Sequence, residues 1–232
     1  MRVTGVPHPL GAPVVGFPVE HGRHPRVTLF DEGFVPVRPL SAALVDSEIV
    51  FTWLVREVTA ADQRPAERHT VYVSSRQEQP RRHQRLGAYA LVFSERGILG
   101  TVNSSATRVP GTWALPGGGI DSGESPSEAV LREIYEETGQ DTEIDRVLSL
   151  ESEHWVGRSM AGVLEDFHAL RVIYSAVCDN PTDPVVHDVG GSTLRSAWVP
   201  LRSWRSLHWT NSSRALLSQF ARRHPRSSHA ER

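Results

Sequence analysis

The sequence predicts an α/β fold, a mixed β-sheet sandwiched with helices, preceded by a strand-containing extension. Three observations carry this. Apolar stretches of strand length recur along the chain, among them EIVFTWLVREV, LGAYALVFSE and FHALRVIYSAVC. Only two helices are expected, one following Ser125 and one near Asn211 to Arg222. The 232 residues, 39% hydrophobic and 22% charged, suffice for one sizeable core and a small second module.

Residues 1–25 hold five prolines and four glycines among few strand formers and read as an irregular arm. RVTLF (26–30) and EIVFTWLVREV (48–58) read as strands. In the second, Ile49, Phe51, Trp53 and Val55 alternate with Val50, Thr52 and Leu54, so both faces are apolar. Such a strand needs cover, from a second subunit in a homodimer or from an extended sheet. HTVYVSS (69–75) is a further strand, and the polar run RQEQPRRHQR (76–85) reads as an exposed connection. The expected division is therefore residues 1–80 as an N-terminal extension, 81–222 as the main domain and 223–232 as a disordered tail. Within the main domain, LGAYALVFSE and ILGTVNSS form a hairpin turning at Arg96-Gly97. After TWALPGGG and the first helix come strands around DRVLSLESE and FHALRVIYSAVC. A Pro/Asp/Gly-rich loop (179–192), a strand at SAWVPL and the final helix complete the order.

Composition narrows the function. A formal net charge of −2 and a pI near 6.6 supply no basic field for nucleic acid and no polybasic arm for a membrane, so a small-molecule partner is expected. Cys178 is the only cysteine, which excludes an internal disulfide and a Cys-based zinc cluster within one chain and fits a reducing cytoplasm. No stretch resembles a signal peptide or a membrane span. All 25 basic residues are arginines, so neither a P-loop lysine nor a Schiff-base lysine can be built from this chain.

Residues 117–140, GGGIDSGESPSEAVLREIYEETGQ, carry six carboxylates and one basic side chain. Ser125-Pro126-Ser127-Glu128 combines an N-cap serine, a proline at the first helical position and a glutamate at the third, a capping box. Gly139 provides the left-handed stop, giving roughly three and a half turns. At about 100° per residue, Val130, Leu131, Ile134 and Tyr135 form a packing side, with Glu133, Glu136 and Glu137 on an adjacent face. Acids near a helix C-terminus oppose the macrodipole and repel one another. A divalent cation relieves both penalties, and carboxylate oxygens suit Mg²⁺ or Mn²⁺; a solvated acidic face is the plainer alternative.

Gly118, five residues, Glu124, seven residues, then Arg132-Glu133-Ile134-Tyr135-Glu136-Glu137-Thr138-Gly139 resembles the Nudix box in every fixed position. Gln140 departs from it, standing where the pattern ends in an aliphatic residue, with looser packing after the helix as the expected effect. The box covers 118–140 and family-like spacing runs from about 86 to 222, leaving the N-terminal third unexplained. The resemblance implies a Nudix-like α/β/α sandwich and hydrolysis of a nucleoside diphosphate linked to another group X with Mg²⁺ or Mn²⁺. It further implies that Glu133, Glu136, Glu137 and the main-chain carbonyl of Gly117 ligate the metal, and that Glu124 and Arg132 pair to fix the loop against the helix. A general base outside the box is expected, with Asp188 in HDVGGST first, and Glu151, Glu153, Glu165 and Asp166 as others.

Substrate signals are thinner. Trp113, Trp155 and Phe167 are candidates to stack a base, and Arg108, Arg146 and Arg158 to hold phosphates, each equally fitted to core or rim. Val156 stands where ADP-ribose hydrolases carry a proline, and no element resembling the dinucleoside polyphosphate, NADH or CoA types is found. Elimination leaves a nucleoside triphosphate or related small nucleotide, as in MutT-type enzymes. A non-catalytic Nudix-fold nucleotide sensor is the competing reading. His21 and His24 in EHGRH, lacking a third ligand at useful spacing, are left as arm residues.

Overall fold

A computed structural model describes residues 1–67, 69–72 and 78–221. In chain order its elements are β1 (Arg2–Val6), β2 (Val15–Pro18), α1 (Pro25–Asp31), β3 (Phe34–Val45), β4 (Glu48–Glu57), β5 (His69–Val71), β6 (Arg81–Ser94), β7 (Gly97–Asn103), β8 (Trp113–Ala114), β9 (Gly117–Gly119), α2 (Pro126–Thr138), β10 (Glu143–Arg158), β11 (Leu164–Val177), β12 (Thr193–Val199) and α3 (Asn211–Phe220). The expected disordered tail lies outside the described residues, as do Val73, Ser74 and Ser75 of the expected strand 69–75. Two compact units are present. The first comprises Met1–Ala88, Gly119–Ala129 and Arg146–Tyr174, the second Tyr89–Gly118, Val130–Asp145 and Ser175–Arg232.

The first unit holds a four-stranded sheet ordered β2-β1-β4-β3. β1 runs parallel to β4 and antiparallel to β2, and β3 pairs antiparallel with β4. Both edges of β4 are thus occupied within the chain, in an extended sheet; Ile49, Phe51, Trp53 and Val55 are buried on one face, while Val50, Thr52 and Leu54 on the other are half-buried. Phe51 and Trp53 are completely buried and meet edge to face at 4.9 Å. The expected irregular arm is instead two strands: Val3 and Val6 are buried on β1, and Gly5 lies where a side chain would strike Val15 and Val55. RVTLF is helical rather than extended. The His24 imidazole accepts from Arg26 N–H as an N-cap, Pro25 occupies the first turn, and Val27 and Leu29 are buried, so capping and tertiary packing override β-branched propensity. β3 had no expectation at all; its Pro36 and Pro39 sit at register shifts against β4. Asp46 and Ser47, both at positive φ, close the β3–β4 hairpin in two residues. Residues 81–85, expected as a connection, begin β6. In the same unit the strand order is β11-β10-β5, with β5 parallel to β10.

In the second unit β7 lies between β12 and β6, and β8 pairs with β7. Ile98, Leu99, Ile134, Leu217 and Trp209 form its apolar interior. Leu115 N–H donates to Ser213 Oγ of α3 at 3.1 Å, and the Trp113 and Trp209 rings lie 5.7 Å apart, so α3 is fastened to the strand that enters the glycine turn. Among the described residues no helix is long and apolar enough to cross a membrane.

Gly97 opens β7 at φ +123°, where an added methyl group would collide with the main-chain carbonyl of Val199 on β12. Gly97→Ala is therefore expected to cost at least about 2 kcal/mol. Urea unfolding monitored by tryptophan fluorescence checks this, and an unchanged midpoint contradicts the packing described.

Candidate active site

The candidate site is built on α2 and the chain that enters and leaves it. Its start follows from local chemistry: Ser125 Oγ accepts from Glu128 N–H at 3.2 Å, while the Glu128 carboxylate accepts from Ser125 N–H at 2.9 Å. Gly139, at φ +67°, ends the helix and donates to the Tyr135 carbonyl at 2.7 Å. The buried stripe is Ala129, Val130, Ile134, Glu137 and Thr138. Here the helical wheel needs correcting. Glu137, three residues beyond Ile134 and seven beyond Val130, falls on the packing stripe, whereas Tyr135 is 49% exposed and stacks on His187 at 5.0 Å.

The three box glutamates have different surroundings. Arg132 Nη1 donates to Glu133 Oε1 and to Glu136 Oε2, each at 3.1 Å, so one guanidinium offsets two acids near the unfavourable end of the helix dipole. A Cβ at Gly118 would overlap the Glu133 carboxylate, so this close approach depends on glycine there. Glu137 is only 5% exposed. Its Oε2 accepts from Gly117 N–H at 3.0 Å, and its Oε1 accepts from the hydroxyls of Thr193 at 2.5 Å and Ser192 at 3.4 Å. All three donors are neutral. Burial accordingly pushes the Glu137 carboxyl up to about 7, against the lowering effect of the Thr193 and Gly117 bonds.

A buried carboxylate with neutral partners, next to two more acids on the same helix, fits a hard dication: the ion supplies the positive charge that this environment lacks. Among the described residues, the ligand atoms of Glu133, Glu136 and Glu137 do not converge within 4.8 Å of one another. Arg132 occupies the position between the first two.

Of the other expected residues, Glu124 lies in the loop before the helix, its carboxylate accepting from Asp121 N–H at 3.0 Å. Asp188 is exposed on the loop after β11. Its N–H and that of His187 both donate to the Glu136 carbonyl, at 3.1 and 2.7 Å, which ties this loop to the last turn of α2. Gln140 does not loosen the packing. Its side chain is buried, donating to the Thr138 carbonyl at 3.2 Å and the Thr182 hydroxyl at 2.9 Å and accepting from Thr182 N–H at 3.0 Å. The amide thus fastens the same loop that carries Asp188. Ser192 and Thr193 had no sequence signal, since serine and threonine after a glycine pair read only as a turn.

The remaining candidates are engaged elsewhere. Trp155 stacks on Phe167 at 5.0 Å, and Trp113 lies under the Arg195 guanidinium. Arg158 pairs with Glu78 and Glu153 with Arg171, while Asp166 is held by His21 and His154. Glu151 and Glu165 are half-buried, and Arg108 and Arg146 exposed.

The sequence model of the NUDIX domain matches residues 83–220. A nucleoside triphosphatase NudI of an Enterobacter species is 31% identical over 143 residues, 59% of this chain and 89% of that protein. An RNA pyrophosphohydrolase of Agrobacterium fabrum is 42% identical over 71 residues, 31% of this chain. The match spans only 39% of that relative's own length. Among solved structures, a MutT protein from Methanosarcina mazei aligns with a TM-score of 0.48 at 22% identity, over 62% of this chain and 96% of its own.

Two outcomes follow. Gln140→Leu is expected to destabilise the protein by about 1–2 kcal/mol, because a leucine leaves the Thr182 N–H and hydroxyl without the amide, while the Thr138 carbonyl keeps Val185 N–H at 2.9 Å; denaturant unfolding measures it. For Glu137, the folded pKa of about 7 lies above the reference value of 4.5. The proton it retains therefore stabilises the fold fully below about pH 4.5, and that stability is lost as pH rises towards and through about 7. In chelator, the unfolding midpoint of the wild type should fall from about pH 5 to about pH 8 more steeply than that of Glu137→Gln. Parallel profiles would contradict the burial described.

Proposed function

The chain belongs to the Nudix family, and on that premise we propose that it hydrolyses a phosphoanhydride bond in a nucleoside diphosphate linked to another group, with a small nucleoside triphosphate as substrate. The observation that carries this is the buried Glu137 carboxylate, held among neutral donors beside Glu133 and Glu136. The resemblance to the nucleoside triphosphatase, over 89% of that relative's length, supports the substrate class.

In this reading residues 81–222 form the hydrolase domain, residues 1–80 an extension, and the protein acts in the cytoplasm. Glu133, Glu136, Glu137 and the Gly117 carbonyl hold Mg²⁺ or Mn²⁺, which when bound neutralises phosphate charge and acidifies an attacking water. The protein's own groups do the rest. Thr193 and Gly117 N–H hold the Glu137 carboxylate in one rotamer, so the acid stays in place whether or not it is charged. Arg132 holds Glu133 and Glu136 and limits their mutual repulsion. The side-chain-free strand β9, Gly117–Gly119, lets phosphate oxygens approach the main chain. Asp188, carried by the loop bonded to the Glu136 carbonyl, is the proposed general base. Because the chain has no lysine, permanent positive side-chain charge for the phosphates comes from arginine.

The test is pyrophosphate and phosphate release from nucleoside triphosphates, ADP-ribose, dinucleoside polyphosphates and 5′-triphosphate RNA with Mg²⁺ or Mn²⁺. Glu137→Gln should lower kcat by about 100-fold or more while leaving the fold at least as stable near pH 7.5. Loss of activity with loss of stability would make Glu137 structural. Nucleotide binding without turnover by any of these substrates would favour the sensor reading.

A further inference from the structure

We propose that His21, His154 and Asp166 form a binding site for a transition-metal dication of the Zn²⁺ type, separate from the Gly118–Gln140 motif. One ring nitrogen each of His21 and His154 and one oxygen of Asp166 all lie within 4.8 Å of one another, and all three side chains are partly buried. His21 Nε2 is 2.9 Å from Asp166 Oδ1, and His154 Nε2 contacts the same oxygen. Two imidazoles and a carboxylate are the ligand types that Zn²⁺ takes at sites which keep an open position. Tetrahedral bonds of about 2.0 Å place ligand atoms roughly 3.3 Å apart, so the His21–Asp166 pair at 2.9 Å needs to open by only a few tenths of an ångström, and the His154–Asp166 pair by more. The other carboxylate oxygen lies 3.9 Å from Arg82, and a cavity of about 350 Å³ adjoins His154, lined also by His24, His69 and Ser152.

The surrounding groups hold the ligands from outside. Gly22 N–H donates to His168 Nδ1 at 3.1 Å, which makes that nitrogen the acceptor, so Nε2–H of a neutral His168 donates to Ser152 Oγ at 2.8 Å. Both nitrogens of His168 are thereby used, and the ring anchors the segment that carries His21 rather than ligating. His69 Nδ1 lies 2.6 Å from His154 Nδ1. With His154 bound through Nε2, its Nδ1–H donates to His69, the outer partner that a metal-ligating histidine ordinarily finds. Gly22, at φ +76°, has no Cβ, and one would press on the His154 ring at 3.2 Å. The turn after β2 can therefore lie directly against the imidazole.

Bound in this way, the ion ties the turn after β2 to β10 and β11, segments of the first unit more than a hundred residues apart in sequence. The donor set also separates this site from the carboxylates of α2, since imidazole favours Zn²⁺ where three glutamates favour Mg²⁺ or Mn²⁺.

Full-length protein, stripped with chelator, is titrated with Zn²⁺ against a chromophoric competitor and, separately, with Co²⁺ read by visible absorption. One Zn²⁺ per chain with Kd below about 1 μM is expected. His21→Gln and Asp166→Asn should each weaken it at least about 10-fold and remove the Zn²⁺-dependent rise in Tm. Glu137→Gln should bind Zn²⁺ as the wild type does. Absence of tight binding, or loss of binding in Glu137→Gln with retention in the other two, overturns the proposal. Zn K-edge absorption on the wild type needs no variant: two imidazoles and an oxygen support the site, and a spectrum without imidazole refutes it.

Discussion

A carboxylate inside a protein is tolerable only if something satisfies it, and the second unit is arranged around satisfying Glu137. Its two oxygens draw in the glycine turn through Gly117 N–H and the start of β12 through Thr193. These segments lie 20 and 56 positions away in sequence, so one buried acid fixes the entry to the motif and the strand that follows the long loop. Apolar contact cannot do this with the same selectivity, because hydrophobic attraction is not directional and would tolerate a shifted strand. The cost is an acid whose charge is disfavoured by its surroundings. A purely structural role would be met as well by a glutamine, which hydrogen-bonds without charge. Retaining the ionisable group makes sense where its charge is used.

The same economy appears at Gln140. An aliphatic residue would fill the space after the helix, whereas the amide fills it and also takes both the N–H and the hydroxyl of Thr182. The loop that begins there is fastened a second time by the His187 and Asp188 N–H groups on the Glu136 carbonyl, which is otherwise an unsatisfied acceptor at a helix end. Tyr135 then stacks on His187 at 5.0 Å. Helix termination and loop placement are therefore one event, and Asp188 is delivered beside the motif by hydrogen bonds that the end of α2 needs in any case.

What was legible in the sequence was local. Capping at Ser125, the stop at Gly139, β4, the hairpin of β6 and β7 and the acid cluster each depend on residues within one or two turns of each other. Local sequence misleads where distant packing decides. RVTLF has strand propensity, but Pro25 and the His24 cap start a helix whose valine and leucine then find the core. The Pro/Gly-rich first segment looked irregular because its composition is that of loops, while β1 is stabilised as a parallel neighbour of β4, a pairing with no sequence signature. β3 was hidden by two prolines that the ladder accommodates at bulges. As an acid, Glu137 reads onto the polar face, although its spacing from Val130 and Ile134 places it on the buried one.

Histidines show the limit of spacing arguments most clearly. His21 and His24 lie three apart and suggest a ligand pair, yet the structure uses them differently: His24 caps α1, and His21 turns to Asp166. The partners of His21 come from two strands, where the two-residue repeat puts Ser152 and His154 on one face of β10 and Asp166 and His168 on one face of β11. Read singly, each strand shows a polar residue beside a histidine, a pattern too common to carry meaning. The meaning lies in the register between strands and in the turn laid over them, and neither is written in any one segment. A linear motif can therefore disclose a site whose ligands share a helix, because a helix converts sequence spacing directly into distance. Where ligands are gathered across strands and a remote turn, that conversion does not exist, and the chemistry becomes visible only once the chain is folded.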